Sequence, residues 1–447
     1  MPKRLYPLRT ARRIASMGIA SIALALLAPD AMLPAARAAS GSSAKVPTGA
    51  AAAVDTRPPA DPAQFARCLD RLESTALSRG ISSATWAARL DGVEPDRGVL
   101  ASLDFQPEFR TPIWDYLAAL VDSDRIEDGR AMLAEHGQTL EAIERRFGVD
   151  PATVVAVWGV ESNYGRNFGK LSLVRSLATL SCFGRRQSFF QEEFLTVLRI
   201  AQEGHVEPER LVGSWAGAFG HTQFMPSTFM STAVDFDGDG RRDIVGSIPD
   251  ALASTANFLR RAGWRRGESW GFEVGLPEGF NTSVTSRRSK RPLSEWMSRG
   301  VTLPGGQAID PAALGLRPQT RVGLIVPAMR EVRSARAPAF LVLPNFDAIY
   351  SYNAAESYAL AIAHLADRLR GGSAFHADWP TDDPGIGRAE RRELQTLLLL
   401  RGHDIGEVDG LIGSRSRAAI ADEEERLGWP RSGRAGRRIL EALRGPA

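Results

Sequence analysis

From Phe65 onward, apolar residues recur at three- and four-residue intervals. In "FARCLDRLESTAL" the positions Phe65, Cys68, Leu69, Leu72 and Leu77 fall at helical spacing. "TPIWDYLAALV" (111–121), "TLEAIERRFGV" (139–149) and "SYALAIAHLADRL" (357–369) repeat the pattern. Between about 272 and 343 the texture changes to short apolar runs, "FEVGL", "RVGLIVP" and "AFLVLP", separated by Gly, Pro and polar residues, which predicts a small β-subdomain. Residues 39–62 are Ala, Ser, Gly and Pro without an apolar period and read as a flexible linker. A second Gly/Pro/Asp-rich linker covers 372–387, and 388–447 form a compact helical tail. The expected fold class is mainly α (α+β), with no repeat of fixed period.

Composition adds little until the N-terminus is set apart. The chain has 447 residues, 44% hydrophobic and 24% charged, as in an ordinary globular protein. Residues 1–38 hold Lys3, Arg4, Arg9, Arg12, Arg13 and Arg37 against Asp30, so they supply more than the whole net charge of +3 and the remainder is slightly acidic. A general nucleic-acid footprint is therefore excluded. Within 1–38, basic residues precede the apolar run "IASMGIASIALALLA" (14–28), and "ARA" (36–38) offers small residues for cleavage. The run is shorter than the roughly 20 residues of a membrane span. A cleaved export signal and a periplasmic location are expected, with an uncleaved membrane anchor as the alternative, and with no Cys near the cleavage point, no lipoprotein. The chain has two cysteines, Cys68 and Cys182; in an exported protein they could form one disulfide or remain two buried thiols.

One carboxylate has an unusual setting. In "VVAVWGVESNYG" (154–165) an apolar run leads straight into Glu161. Asp150 and Pro151 suit the start of a helix, on which Val154, Val157 and Trp158 share the face of Glu161. Partial desolvation raises a carboxyl pKa, and a Glu kept protonated near neutrality can act as a general acid. The bland alternative is a solvated or salt-bridged Glu at a helix end. Two further segments bear on that choice. "GSWAGAFGHTQFMPSTF" (213–229) is rich in small and aromatic residues, which lets backbone approach a ligand; Ser214, His221, Thr222 and Gln223 offer orienting hydrogen bonds, and Pro226 starts a helix. "NFDAIYSYNAAESYALA" (345–361) places Tyr350 and Tyr352 before a helix that Asn353 is positioned to cap.

"DFDGDGRRDIVGSIPD" (235–250) sets Asp235, Asp237 and Asp239 at alternate positions with Gly240 sixth, the front half of an EF-hand loop. Arg241 could add its carbonyl. Gly246 stands where a bidentate Glu belongs, so Asp250 could close a longer loop and Asp243 could act directly or through water. Hard oxygen ligands favour a structural Ca²⁺.

Together these blocks, with "FQPEF" (105–109), "LATLSCFGRR" (177–186) and "ALASTANFLRRAGW" (251–264), resemble the membrane-bound lytic murein transglycosylase B family. The resemblance implies a lysozyme-like helical catalytic domain over 63–371 that cleaves peptidoglycan between N-acetylmuramic acid and N-acetylglucosamine. It implies Glu161 as catalytic acid/base, and Ser214, Gln223, Tyr352 and Asn353 as substrate-binding. It further implies Asp235, Asp237, Asp239, Arg241 and Asp250 around calcium, with no cofactor for catalysis. Glycan strands are the expected partner of a monomer, with cell-wall synthesis or division complexes as candidate associates. The tail "LQTLLLLRGHDIGEVDGLIGSRSRAAI" (394–420) resembles a three-helix peptidoglycan-binding domain; it departs at "ADEEERLGW" (421–429), where acidic residues replace the usual aromatic and Gln.

Overall fold

The computed structural model describes residues 61–103, 111–327 and 337–445. The expected export signal, nearly all of the expected first linker and the "FQPEF" block lie outside them. The described chain is mainly helical with two small antiparallel sheets. No helix among the described residues is long and apolar enough to cross a membrane.

At the centre lies the helix Pro151–Ser162. Asp150 caps it by accepting from the Thr153 amide at 3.0 Å, with Pro151 in the first turn. The sequence suggested one apolar face; in the structure every residue from Ala152 to Gly159 is buried, because this helix is enclosed on all sides. It packs against Glu356–Leu369, Ser123–Glu135, Ile248–Arg261 and Gly137–Phe147. The last turn ends in a left-handed run, with φ of 51° at Asn163, 57° at Tyr164 and 80° at Gly165. Tyr164 turns back into the core, donates to the Arg125 carbonyl at 2.8 Å, and lies against Gly129 and Gly159. A Cβ on either glycine would occupy the space of that ring.

Cys68 and Cys182 form a disulfide with Cα atoms 5.9 Å apart, joining the helices Pro62–Ser78 and Leu173–Phe183.

The larger sheet runs in the order Gly271–Val274, Ala339–Val342, Arg321–Ile325, Ser286–Pro292. Phe272 and Leu324 both stand opposite Leu341. Its apolar strands coincide with the three runs seen in the sequence. The fourth, "SRRSKRP", has no apolar signature; it is an edge strand, where charge and a terminal Pro are tolerated and discourage further pairing. The sheet shares one hydrophobic core with the helices.

The C-terminal helices Arg388–Leu400, Ser414–Arg426 and Arg437–Arg444 enclose their own small core around Leu394, Leu398, Ile420 and Leu440. The acidic residues at 423 and 424 are fasteners in this domain. Glu423 is bound by His403 at 2.8 Å and Arg426 at 2.9 Å, and Glu424 accepts from the Ser432 hydroxyl and the Gly433 amide. The domain is held to the helical body by charge. Arg434 makes a bidentate pair with the buried Asp115 (2.6 and 2.7 Å), Arg392 meets Asp124 at 3.1 Å, and Arg388 donates to Asn163 Oδ1 at 2.8 Å.

Candidate active site

Glu161 occupies the last turn of the central helix, just before the left-handed run. Its side chain remains partly exposed, yet burial pushes its carboxyl up to about 8, against the opposing effect of a hydrogen bond from the Tyr358 hydroxyl to Oε1. Among the described residues no second carboxylate contributes to that shift. Tyr358 sits in the first turn of Glu356–Leu369, and Tyr352 lies 6.3 Å from it ring to ring. Tyr352 donates to the Thr222 carbonyl at 2.7 Å and also packs on Phe258 and Phe224. The catalytic candidate, the 345–361 segment and the 213–229 loop are thereby joined in one chain of contacts.

The 213–229 loop folds on itself through pairings of Gly213 with Phe219 and Phe219 with Phe224. Ser214 Oγ accepts from the Ala218 amide at 3.0 Å. Gln223, at φ 50°, donates to the carbonyls of Gly220 (2.9 Å) and Phe168 (3.4 Å). Pro226 begins the helix Pro226–Thr232. His221 is not free to orient a ligand. It is buried, its Nδ1 accepts from the Trp158 indole at 2.9 Å, and its carbonyl accepts from Ser162 at 2.8 Å. Burial lowers its pKa to about 4, so it is a neutral strut beneath the loop. Thr222 is likewise enclosed.

Asn353 does not cap the following helix: Ala355 holds that position, without a side-chain cap. The Asn353 Oδ1 is instead buried without a partner among the described residues, an acceptor left for something else. The ring of Tyr350 is covered by the Arg287 guanidinium at 3.6 Å, which occupies that face.

In the acidic loop, Asp235, Asp237 and Asp250 each bring an oxygen within 4.8 Å of the others. Asp250 is fully buried and accepts from the amides of Phe236 (2.7 Å) and Asp243 (2.9 Å); burial raises its pKa. Asp239 does not join this group: its Oδ1 accepts from the Arg241 amide at 2.8 Å. The Arg241 side chain pairs with Glu207 at 2.9 Å. Asp243 is engaged by the amides of Val245 and Gly246 at 2.9 and 2.7 Å.

Two functional neighbours had no local signal in the sequence. Tyr358 lies 197 positions from Glu161. Glu193 is buried in the helix Gln187–Gln202 and holds Ser227 through its amide (2.9 Å) and hydroxyl (2.6 Å), anchoring the helix after the loop.

The chain belongs to the Transglycosylase SLT domain family, matched over residues 64–367, and a peptidoglycan binding domain family matches 387–443. Its relatives include SltB3 from Pseudomonas aeruginosa, solved in complex with NAG-NAM-pentapeptide. It is 44% identical, with 85% of this chain and 99% of that chain covered and a TM-score of 0.68. Membrane-bound lytic murein transglycosylase B of Escherichia coli (strain K12) is 33% identical over 262 residues, 57% of this chain and 66% of that protein. The Escherichia coli transglycosylase Slt35, solved in complex with calcium, is 27% identical, with 70% of this chain and 94% of that one covered and a TM-score of 0.57.

Proposed function

We propose that the chain is an exported lytic transglycosylase of peptidoglycan in which Glu161 alone serves as acid and base. The observation that carries this reading is the Glu161 carboxyl held up to about 8 by burial, with Tyr358 as its hydrogen-bond partner. Protonated at neutral pH, Glu161 donates to the oxygen bridging N-acetylmuramic acid and N-acetylglucosamine. The neighbouring N-acetyl group stabilises the positive charge that develops at C1. The resulting carboxylate then takes the proton of the muramic acid C6 hydroxyl as that oxygen bonds to C1, closing a 1,6-anhydro ring. Because the nucleophile belongs to the substrate, its effective concentration is high, and such intramolecularity contributes roughly 7–11 kcal/mol at best. A second carboxylate, needed by ordinary glycosidases, has no task here. Ser214, Gln223, Tyr352 and Asn353 are assigned to the cleft, with the unpartnered Asn353 Oδ1 suited to a substrate amide or hydroxyl. The role is cell-wall turnover in the periplasm.

Mass spectrometry of digested peptidoglycan tests the proposal. Muropeptides with 1,6-anhydro ends are expected; reducing ends would instead mean a hydrolytic muramidase, and no release a non-catalytic wall-binding protein.

Tyr358→Phe should move the pH profile. The lost hydrogen bond favours the carboxylate, so its removal raises the Glu161 pKa further and shifts the alkaline limb of kcat/KM upward by roughly one unit. A profile unchanged within error would contradict the assigned contact.

The acidic loop fits a calcium ion. Its three converging carboxylates are hard ligands, and the buried Asp250 makes no ion pair among the described residues. Asp235, Asp237 and Asp250 would hold the ion, with Asp239 and the Arg241 carbonyl as further candidates, and its contribution is stability. Calorimetric titration with Ca²⁺ should give heat, and saturation at about 100 times Kd should add about 2.7 kcal/mol to stability. No heat and no rise in Tm would refute the site.

A further inference from the structure

We infer that a cavity on the seam between the helical body and the C-terminal domain recognises a carboxylate of a peptide stem, and that both domains build it. The inference rests on the peptidoglycan reading above. The cavity measures about 520 Å³, and its walls include Lys170, Gln395, Glu407, Arg415 and Ser416.

Lys170 comes from the helical body, immediately before the short strand Leu171–Ser172 that pairs with Val212–Gly213 beside Ser214. It is exposed and makes no ion pair among the described residues. Arg415 comes from the first turn of Ser414–Arg426 and lies over Gly406, where any side chain would displace it. Its only ion pair among the described residues, with Asp404 at 3.5 Å, is largely exposed and correspondingly weak. Ser416 is 2% exposed, and its hydroxyl has no hydrogen-bond partner among the described residues. The residue is thus almost wholly enclosed while its hydroxyl reaches the cavity, free to bond a ligand there. The helix behind it starts at Gly413 with no side-chain cap, so its first amides and dipole favour an anion beside Lys170 and Arg415, while Glu407 and Asp409 form the acidic part of the same lining.

By contrast, Gln395 is fully spent, bonding Asp409 and the Leu411 carbonyl while accepting from the Gly410 amide. It fixes the 407–411 loop and holds Asp409, whereas Glu407 has no side-chain partner among the described residues and is set for an ammonium group. Among the described residues no aromatic ring lines the cavity. Sugars pack on ring faces, whereas peptide carboxylates seek Lys, Arg, hydroxyls and helix starts, so the stem and not the glycan is the matched ligand. Arg388, which binds Asn163 two residues beyond Glu161, holds this domain against the catalytic turn. A glycan lying at Glu161 and a stem lying in the seam would thus be read by one rigid arrangement.

Isothermal calorimetry of the full chain with free stem pentapeptide, and with the same peptide amidated at every carboxylate, tests the site. The acid form should bind at least tenfold more tightly than the amide. Lys170→Glu should weaken the acid form about tenfold, Lys170→Arg should restore it, and Arg415→Ala should weaken it comparably, with Tm unchanged in all three. Equal affinity for acid and amide, equal affinity of wild type and K170E, or no binding of either peptide would overturn the inference. Turnover of glycan strands stripped of peptide keeps the two readings separable. K170E should still release anhydro ends from such strands at the wild-type rate. Absence of anhydro ends with the wild-type enzyme would count against the proposed function and leave the peptide titration to decide the pocket.

Discussion

Glu161→Gln is expected to abolish release of muropeptides, with turnover reduced by about 10³-fold or more, while binding to the wall persists. General acid–base catalysis typically supplies 10²–10⁴-fold, and in the proposed mechanism one group performs both proton transfers. Gln keeps the size of the side chain and an oxygen to accept from Tyr358, so Tm should scarcely change. In the wild type, kcat/KM should fall as pH rises through about 8, because the productive form is the protonated acid. Retained turnover in E161Q, measured by mass spectrometry of the soluble products, would remove Glu161 from the mechanism.

Gly159→Ala is expected to cost both stability and activity. On an exposed helix this change stabilises by up to about 1 kcal/mol. At this position the new Cβ would lie 2.6 Å from the Tyr164 ring, which is already wedged against Gly129 and tied to the Arg125 carbonyl. Overpacking of that kind costs about 1–3 kcal/mol. Relief can come only by moving Tyr164, three residues beyond Glu161, so the carboxyl should lose its alignment and kcat should drop about tenfold. Gly137→Ala is the control, since nothing lies within 4 Å of its added Cβ. Thermal melting and initial rates of the two variants check the contrast; equal behaviour would show that the close approach has no consequence.

These cases mark how far the sequence could be read. Glu161 was visible because its setting is local: an apolar run, a capped start and a turn within a dozen residues. The acidic loop was visible because alternate Asp residues and Gly240 are a short-range pattern. Tyr358 was not, since only the packing of Glu356–Leu369 against the central helix brings it to Glu161. His221 shows the converse: in the sequence it resembles a ligand-binding group, yet Trp158 claims its ring from 63 positions away. The strand Ser286–Pro292 escaped because an edge needs no apolar alternation. The acidic residues at 423 and 424, a departure from the expected motif, acquired a reason only when Ser432, Gly433 and His403 were seen around them.

The bond between Cys68 and Cys182 spans a sequence separation of 114 residues, and Glu161 falls inside that span. Every peptide link from Leu69 to Ser181 therefore belongs to a closed covalent ring. A protease that nicks the chain once within it leaves both halves fastened together, migrating as one species on a gel until a reductant is added. A first cut within the ring thus leaves Glu161, the proposed acid, attached to its scaffold.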